Sequence, residues 1–495
     1  MLSDIPIRAF ITPSPTSRQK LQAEQLADAI RSEHPELAAD EQYQKFVPDS
    51  LSDGCCLLFD DLSEIKILDS CHKFLFMQDR ARLRAGDGDM VASVLRESEG
   101  YEDYCRQSLK LGTVDWLRPN PTANPLQIAH ACWEDRQVRH ELLHRLRTDA
   151  LHYLHPHMGT LGGWELAALL HQHSRRPVKV IAPPPVLARF VNNKVSFTDV
   201  ARRLLGLSAV PQTASAWNMA TLSQRICEMS EAVQTIGVKR PDSAGGAGIV
   251  VIPMEKIRGR SLQDVHDILG HFLEPLCWDD GSELLIGSWE ADVLCSPSVQ
   301  LWIPPEGDGA PIVEGIFSQH MTQRTVKFEG TGFVEFSAEI TRELSTHAWL
   351  IARVFQKLGY IGRCSFDTIL VGESFESARI EFIECNGRWG GTSLPMTLMN
   401  RLFGDWKRHP FAVRVVGADG LGQISFSDFV SSVADHAYDA RTGCGDLIFY
   451  SPGRLHNNSQ ITVLALAENW IQACLMLQTT VPELLNHAAS SDAVG

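Results

Sequence analysis

The chain has 495 residues, 44% apolar and 21% charged, and its 45 basic against 60 acidic residues give a net charge of −15. That length allows two to four domains with a substantial core. The acidic balance argues against a general nucleic-acid or anionic-membrane surface, since both need a basic field, but it leaves room for a local basic pocket for phosphates.

The opening "MLSDIPIRAFITPSPTS" has no basic region followed by a long apolar run, so no secretory signal is expected. No run of about 20 apolar residues predicts a membrane span. Twelve cysteines without a C-x-x-C pair predict reduced thiols and a cytoplasmic protein. Residues 17–32 put Leu21, Leu26 and Ile30 near one face and predict a helix. Strand-like runs follow at 55–60, 113–119 and 177–183, with helical stretches between them. This alternation predicts an α/β domain with a partly parallel sheet. The prolines of "APPPV", 182–186, can continue neither a helix nor a central strand, and a domain boundary is expected there.

Within that first region "HELLH", 140–144, matches H-E-x-x-H, the zinc-hydrolase spacing with Glu141 as base. On a helix, Val138, Leu142, Leu143 and Leu146 gather on one face, and His140 and His144 fall opposite, on a solvated side. Arg147 stands where the longer zinc motif needs glycine, and Glu165 is only a distant third ligand. His155 and His157 read as loop histidines.

Beyond the boundary, 190–207 and 221–236 predict helices. "GVKRPDSAGGAGIVVI", 237–252, predicts strand, glycine loop, strand, with Lys239 leading into a loop whose N–H groups can cradle phosphates. The stretch 284–304 is strand-rich, and 341–359 is a strongly periodic helix with a glycine stop. "RCSFDTILV" and "ARIEFIECN" then flank a polar turn. Strict alternation puts Ile380, Phe382, Glu384 and Asn386 on one face and Glu381, Ile383 and Cys385 on the other. In a hairpin Asp367 can then stand beside Glu384 and Asn386, forming a hard-oxygen set suited to Mg²⁺. Arg388, one step further on, can contact an anion.

"NNK" at 192–194, "VKRPDSAGGAG" at 238–248, "FDTIL" at 366–370 and "ECNGRWGG" at 384–391 occur in an order that resembles the ATP-grasp ligase superfamily over roughly residues 190–400. "SPSVQLWIP" and "GDLIFYSPG" extend the resemblance to members with a pre-ATP-grasp domain, the pheganomycin-type peptide ligases among them. The resemblance implies an α+β fold with an N-terminal α/β domain at 1–189. It implies a small subdomain with a glycine-rich lid at 190–290, and a large subdomain with a C-terminal extension at 291–495. It implies ATP and Mg²⁺. Lys194 and Lys239 would contact the phosphates, and Ser243, Gly245, Gly246 and Gly248 would belong to the lid. Asp367, Glu384 and Asn386 would hold the metal, and Arg388 would steady the transferred phosphoryl group. Glu290, or Gly287 in another register, falls where the family places an adenosine-binding glutamate. Arg324 and Lys327 are candidates for the substrate carboxylate.

The function expected is an ATP-dependent carboxylate–amine ligase that forms a peptide or amide bond through an acyl phosphate. Its substrates would be amino acids or peptides, and homodimerisation is the family expectation. The alternatives are a carboxylate–thiol ligase, an ATP-binding scaffold without turnover, and the zinc hydrolase.

Overall fold

A computed structural model describes residues 11–65, 72–229, 231, 233–243, 248–321 and 328–491. It contains three sheets. The first joins β1 (Cys56–Phe59), β2 (Met90–Ala92), β3 (Asp115–Leu117), β4 (Tyr153–Pro156) and β5 (Lys179–Val180). All its pairings are parallel, in the order β3-β2-β1-β4-β5. Strands this short, buried on both faces, are apolar runs without alternation, as "CLLF" illustrates.

The second sheet is antiparallel, in the order β6-β9-β7-β8: β6 (Thr213–Ala216), β7 (Thr235–Lys239), β8 (Ile249–Pro253) and β9 (Leu284–Ser288). The third comprises β10 (Val293–Cys295), β11 (Pro297–Ile303), β12 (Ile312–Met321), β13 (Phe328–Phe333), β14 (Gly362–Val371), β15 (Arg379–Asn386), β16 (Phe411–Gly417), β17 (Leu447–Tyr450) and β18 (Gln460–Leu466). Its order is β10-β14-β11-β12-β13-β16-β18-β17, with β15 paired to β14.

Helix α1 (Ser17–Glu33) opens with a Thr16–Gln19 capping box. The prolines at 183–185 start a helix instead of excluding one. Pro184 is the N-cap and Pro185 the first residue of α2 (Pro185–Asn192), where a missing N–H costs nothing. The Asp40 carboxylate accepts the free Val186 and Leu187 N–H groups. The single helix expected over 190–207 is divided at Asn193. That residue is extended and caps α3 (Lys194–Leu205) by accepting from Val195 and Ser196 N–H. The helix expected over 221–236 ends at Met229, and Thr235 and Ile236 belong to β7.

Helix α4 (Ala338–Leu358) begins at the Ser337 cap and stops at Gly359, which is left-handed at φ 103°. It shares one apolar core with α1, α2, α3 and the β11–β14–β15 face of the large sheet, through residues such as Phe197, Val299, Phe355, Phe366 and Phe382. Separate cores lie under the parallel sheet and within the small sheet. Among the described residues, no helix is long and apolar enough to cross a membrane.

Candidate active site

The strand pair β14–β15 carries the polar cluster, and its register differs from simple alternation. Asp367 pairs with Glu384, but Thr368 pairs with Phe382, so Ile383 is the extra residue of a β-bulge. The bulge inverts the facing of everything after it. Ile380, Phe382 and Cys385 point into the core with Phe366 and Leu370. Glu384 and Asn386 share the opposite face with Asp367. Glu381 lies on that face too, contrary to the alternation reading, as the cross-strand partner of Ile369.

Asp367 Oδ1 accepts from Ser298 Oγ at 2.6 Å and from Gln319 Nε2 at 2.8 Å, and its Oδ2 accepts from Asn386 Nδ2 at 2.9 Å. Burial, and then the charge of Glu384, push its carboxyl up to about 7. Burial would raise Glu384 as well, but Lys194, Arg388 and Lys239 outweigh it and hold that carboxyl below its ordinary value. The Glu384 Oε2 ion pair with Lys194 Nζ measures 3.0 Å.

Lys194 opens α3, yet its exposure is only 3%. Its Nζ also donates to the Ser243 carbonyl at 2.5 Å, and its own N–H donates to the Pro241 carbonyl at 3.1 Å. The helix start is thereby tied to the base of the glycine loop. Lys239, at the end of β7, lies 5.7 Å from the Trp289 ring centre. Burial and the neighbouring Lys194 lower its pKa, and Glu384 opposes them. Gly248 closes the loop at φ 81° and its carbonyl accepts from Arg240 N–H. Gly245 and Gly246 lie outside the described residues, as do Arg324 and Lys327.

Arg388 donates from Nη2 to Asn386 Oδ1 at 2.5 Å and from Nη1 to Asn192 Oδ1 at 2.7 Å. Asn192 also accepts from Gly387 N–H. A Cβ on Gly387 would come within 2.8 Å of the Asn192 amide, so the close approach requires glycine. The chain then crosses to the first domain, where Trp389 N–H donates to the His157 carbonyl at 3.0 Å.

Glu290 stands two residues beyond β9, between the small and large sheets. Its Oε2 pairs with Arg379 Nη2 at 2.6 Å and its Oε1 accepts from Ser288 Oγ. Arg379 also holds Glu381 at 2.7 Å. Gly287 lies within β9, opposite Thr213 and Gly237.

The zinc reading fails on geometry. His140 and His144 are exposed, and Glu141 is paired with Arg145 at 2.6 Å. Among the described residues no three His, Cys, Asp or Glu side chains gather as a metal cluster. Of the two expected loop histidines, His157 lies in the bend after β4, but His155 belongs to β4 itself, and both are buried, at 5% and 3% exposure.

Sequence reasoning missed Asn192 as the holder of Arg388, and Ser298 and Gln319 as the partners of Asp367. The available signal for Ser298 was a pair of polar residues on one face, Ser298 and Gln300, inside the fully buried "PSVQLWI" strand.

No family model matches the sequence, and no curated protein matches it. Solved structures share its fold. An N5-carboxyaminoimidazole ribonucleotide synthetase in complex with ADP aligns at TM-score 0.52 and 12% identity over 88% of this chain and 96% of that one. The Staphylococcus aureus N5-carboxyaminoimidazole synthetase with ADP aligns at 0.51 and 10% over 88% and 98%. A Campylobacter jejuni biotin carboxylase–βγ-ATP complex aligns at 0.50 and 12% over 86% and 90%. The chain therefore has the ATP-grasp fold, preceded by an N-terminal α/β domain.

Proposed function

We propose that this protein is an ATP-dependent carboxylate–amine ligase that forms a peptide or amide bond by way of an acyl phosphate. The observation that carries the reading is the opposed pair Asp367 and Glu384, with Asn386 beside them and two lysines, Lys194 and Lys239, in reach of Glu384. Two of the structures sharing the fold hold ADP and the third a βγ-ATP ligand.

The donor set fits Mg²⁺. It consists of hard oxygens, and the repulsion between the buried Asp367 and the half-buried Glu384 would be relieved by a divalent cation. Asp367, Glu384 and Asn386 would hold the ion, which supplies charge neutralisation at the phosphates during γ-phosphoryl transfer.

Lys194 and Lys239 bind phosphate oxygens, and the Ser243–Gly248 loop covers them and excludes water. The substrate carboxylate attacks the γ-phosphorus, and ADP leaves with the electron pair of the broken P–O bond. Arg388 steadies the phosphoryl group in passage. The amine then attacks the acyl carbon, loses a proton, and phosphate departs. Glu290 is assigned to adenosine, for which it must loosen from Arg379. Arg324 and Lys327 are assigned to the substrate carboxylate. Amino acids or short peptides are the substrates proposed, in a cytoplasmic enzyme acting as a homodimer.

A screen of amino acids and short peptides for ATP-dependent ADP release tests the reading, with hydroxylamine as trapping nucleophile. ADP, phosphate and a hydroxamate are expected. AMP and pyrophosphate would overturn the route, and nucleotide binding without acid-dependent turnover would overturn the ligase assignment.

A further inference from the structure

Beyond Arg388, away from the carboxylates, lies a chain of guanidinium groups that the ligase chemistry does not use. Arg80 is within electrostatic reach of Arg388 on one side and of Arg454 on the other. These three come from separate parts of the sequence. Arg80 belongs to a 3-10 helix (His72–Arg84), Arg388 follows β15, and Arg454 follows β17.

The acids of this region pair first with other arginines, Asp60 with Arg84, Glu314 with Arg363, and Asp79 with Arg118 at 4.0 Å, and Asp60 Oδ2 and Asp79 Oδ1 make no hydrogen bond. Arg80 donates from Nε to the Met77 carbonyl at 3.2 Å and lies 3.7 Å from Asp60 Oδ2. Arg388 gives its terminal nitrogens to two neutral amide oxygens. The Arg454 guanidinium makes no hydrogen bond or ion pair with any described residue, and lies 4.1 Å over the Phe76 ring. The hydroxyl of Tyr450, a residue 3% exposed, has no hydrogen-bond partner among the described residues, and Arg80 and Arg454 are its charged neighbours. His157 Nδ1 is buried and makes no hydrogen bond, and lies 3.7 Å from Asp60 Oδ2.

Cations clustered out of water without anions are unfavourable, and buried donors left unmade cost stability. A bound anion removes both penalties, because guanidinium groups bond carboxylate or phosphate oxygens in pairs. Burial and the nearby Arg80 lower the pKa of Arg454 to about 10.

We propose that Arg80, Arg454 and the Tyr450 hydroxyl form a second anion subsite, which receives a carboxylate or phosphate that the acid substrate carries apart from its reacting carboxylate. The substrate class is thus a dianionic or more highly charged acid. This rests on the ligase reading for the role of the ligand, but not for the binding itself.

The test is thermal stabilisation by succinate and, separately, by inorganic phosphate, each at saturating Mg–ADP, in the wild-type protein and in Arg454→Gln. Stabilisation of the wild type, weakened about 10-fold in apparent affinity by Arg454→Gln, is expected. Response to succinate alone assigns a carboxylate, and response to phosphate alone assigns a phosphoryl group. Equal stabilisation of both proteins overturns the subsite, because phosphate held beside ADP by the lysines alone behaves that way. No response of the wild type to either anion also overturns it. Failure of Mg–ADP to stabilise would overturn the nucleotide site while the anion arms still read the subsite. Should Arg454→Gln fail to fold, Tyr450→Phe removes only the hydroxyl and must weaken the same response.

Discussion

Asp367 and Glu384 are direct cross-strand partners at the edge of a β-bulge, and the bulge is the reason both face the site. One extra residue, Ile383, left without a cross-strand partner, puts Phe382 and Glu384 on opposite faces although they are two residues apart. The bulge therefore links the packing of the core to the chemistry of the site.

Deleting Ile383 makes Phe382 and Glu384 neighbours, so a regular ladder keeps Phe382 in the core and Glu384 on the site face. The deletion variant is therefore expected to fold and to release ADP. What it loses is the extra local twist that a bulge adds to its strand. Urea unfolding and ADP release measure the two effects separately. A folded variant without ADP release would show that the site needs that twist as well as the facing, and a variant that does not fold would overturn the register.

Glu384→Gln keeps the shape but removes one charge of the opposed pair. ADP release should fall at least about 100-fold, in the range seen when a preorganised electrostatic group is lost. Asn386→Ala should do the same, with melting temperatures close to wild type. Glu381→Gln now needs a different expectation from the one strict alternation gives. Glu381 shares the face, but its partner is Arg379. It should lose less activity than Glu384→Gln, and equal loss in a folded protein would extend the site to Glu381.

Lys194→Met removes a buried ammonium that bonds both Glu384 and the Ser243 carbonyl. The KM for ATP should rise about 10-fold or more, as for loss of a charged hydrogen bond. Steady-state kinetics at varied ATP measures it. An unchanged KM would remove Lys194 from the phosphates.

His155 gives a pH dependence. Burial, and then Arg84 and Arg363, depress its pKa well below the ordinary imidazole value. The unfolded chain takes up a proton near the ordinary value of about 6.5, and the folded protein does so only at lower pH. The contribution is therefore fully present above that value and is lost as pH falls, with a limiting slope of about 1.4 kcal/mol per pH unit. Denaturant unfolding at pH 7.5 and 5.5 should show a smaller loss in His155→Gln than in wild type. Parallel losses would mean that His155 does not titrate with folding.

Much of this architecture was legible from local pattern. The 338–358 helix announces itself by its period and its Gly359 stop, and the β14–β15 hairpin by two alternating runs around a polar turn. What was illegible depended on partners remote in sequence or on a single-residue irregularity. No count of alternation reveals the extra residue at Ile383, because Ile383 is an acceptable strand residue on either face. Asn193 looks like a mid-helix polar residue until its side chain is seen capping α3. His155 and His157 appear as polar punctuation, yet the segment after Arg388 covers them, with Trp389 against the His155 ring at 5.6 Å.

The small sheet is entered once, at Thr213, and left once, at Ser288. Only two lengths of backbone, 206–212 and 289–292, connect it to the helices before it and the large sheet after it. Any swing of this body over the strand pair must be absorbed as torsion in those two stretches. Mechanically it is a door on two pins, and the Lys194–Ser243 contact is its latch. A covalent tie across that latch would hold the door in one position while leaving every residue of the large sheet untouched.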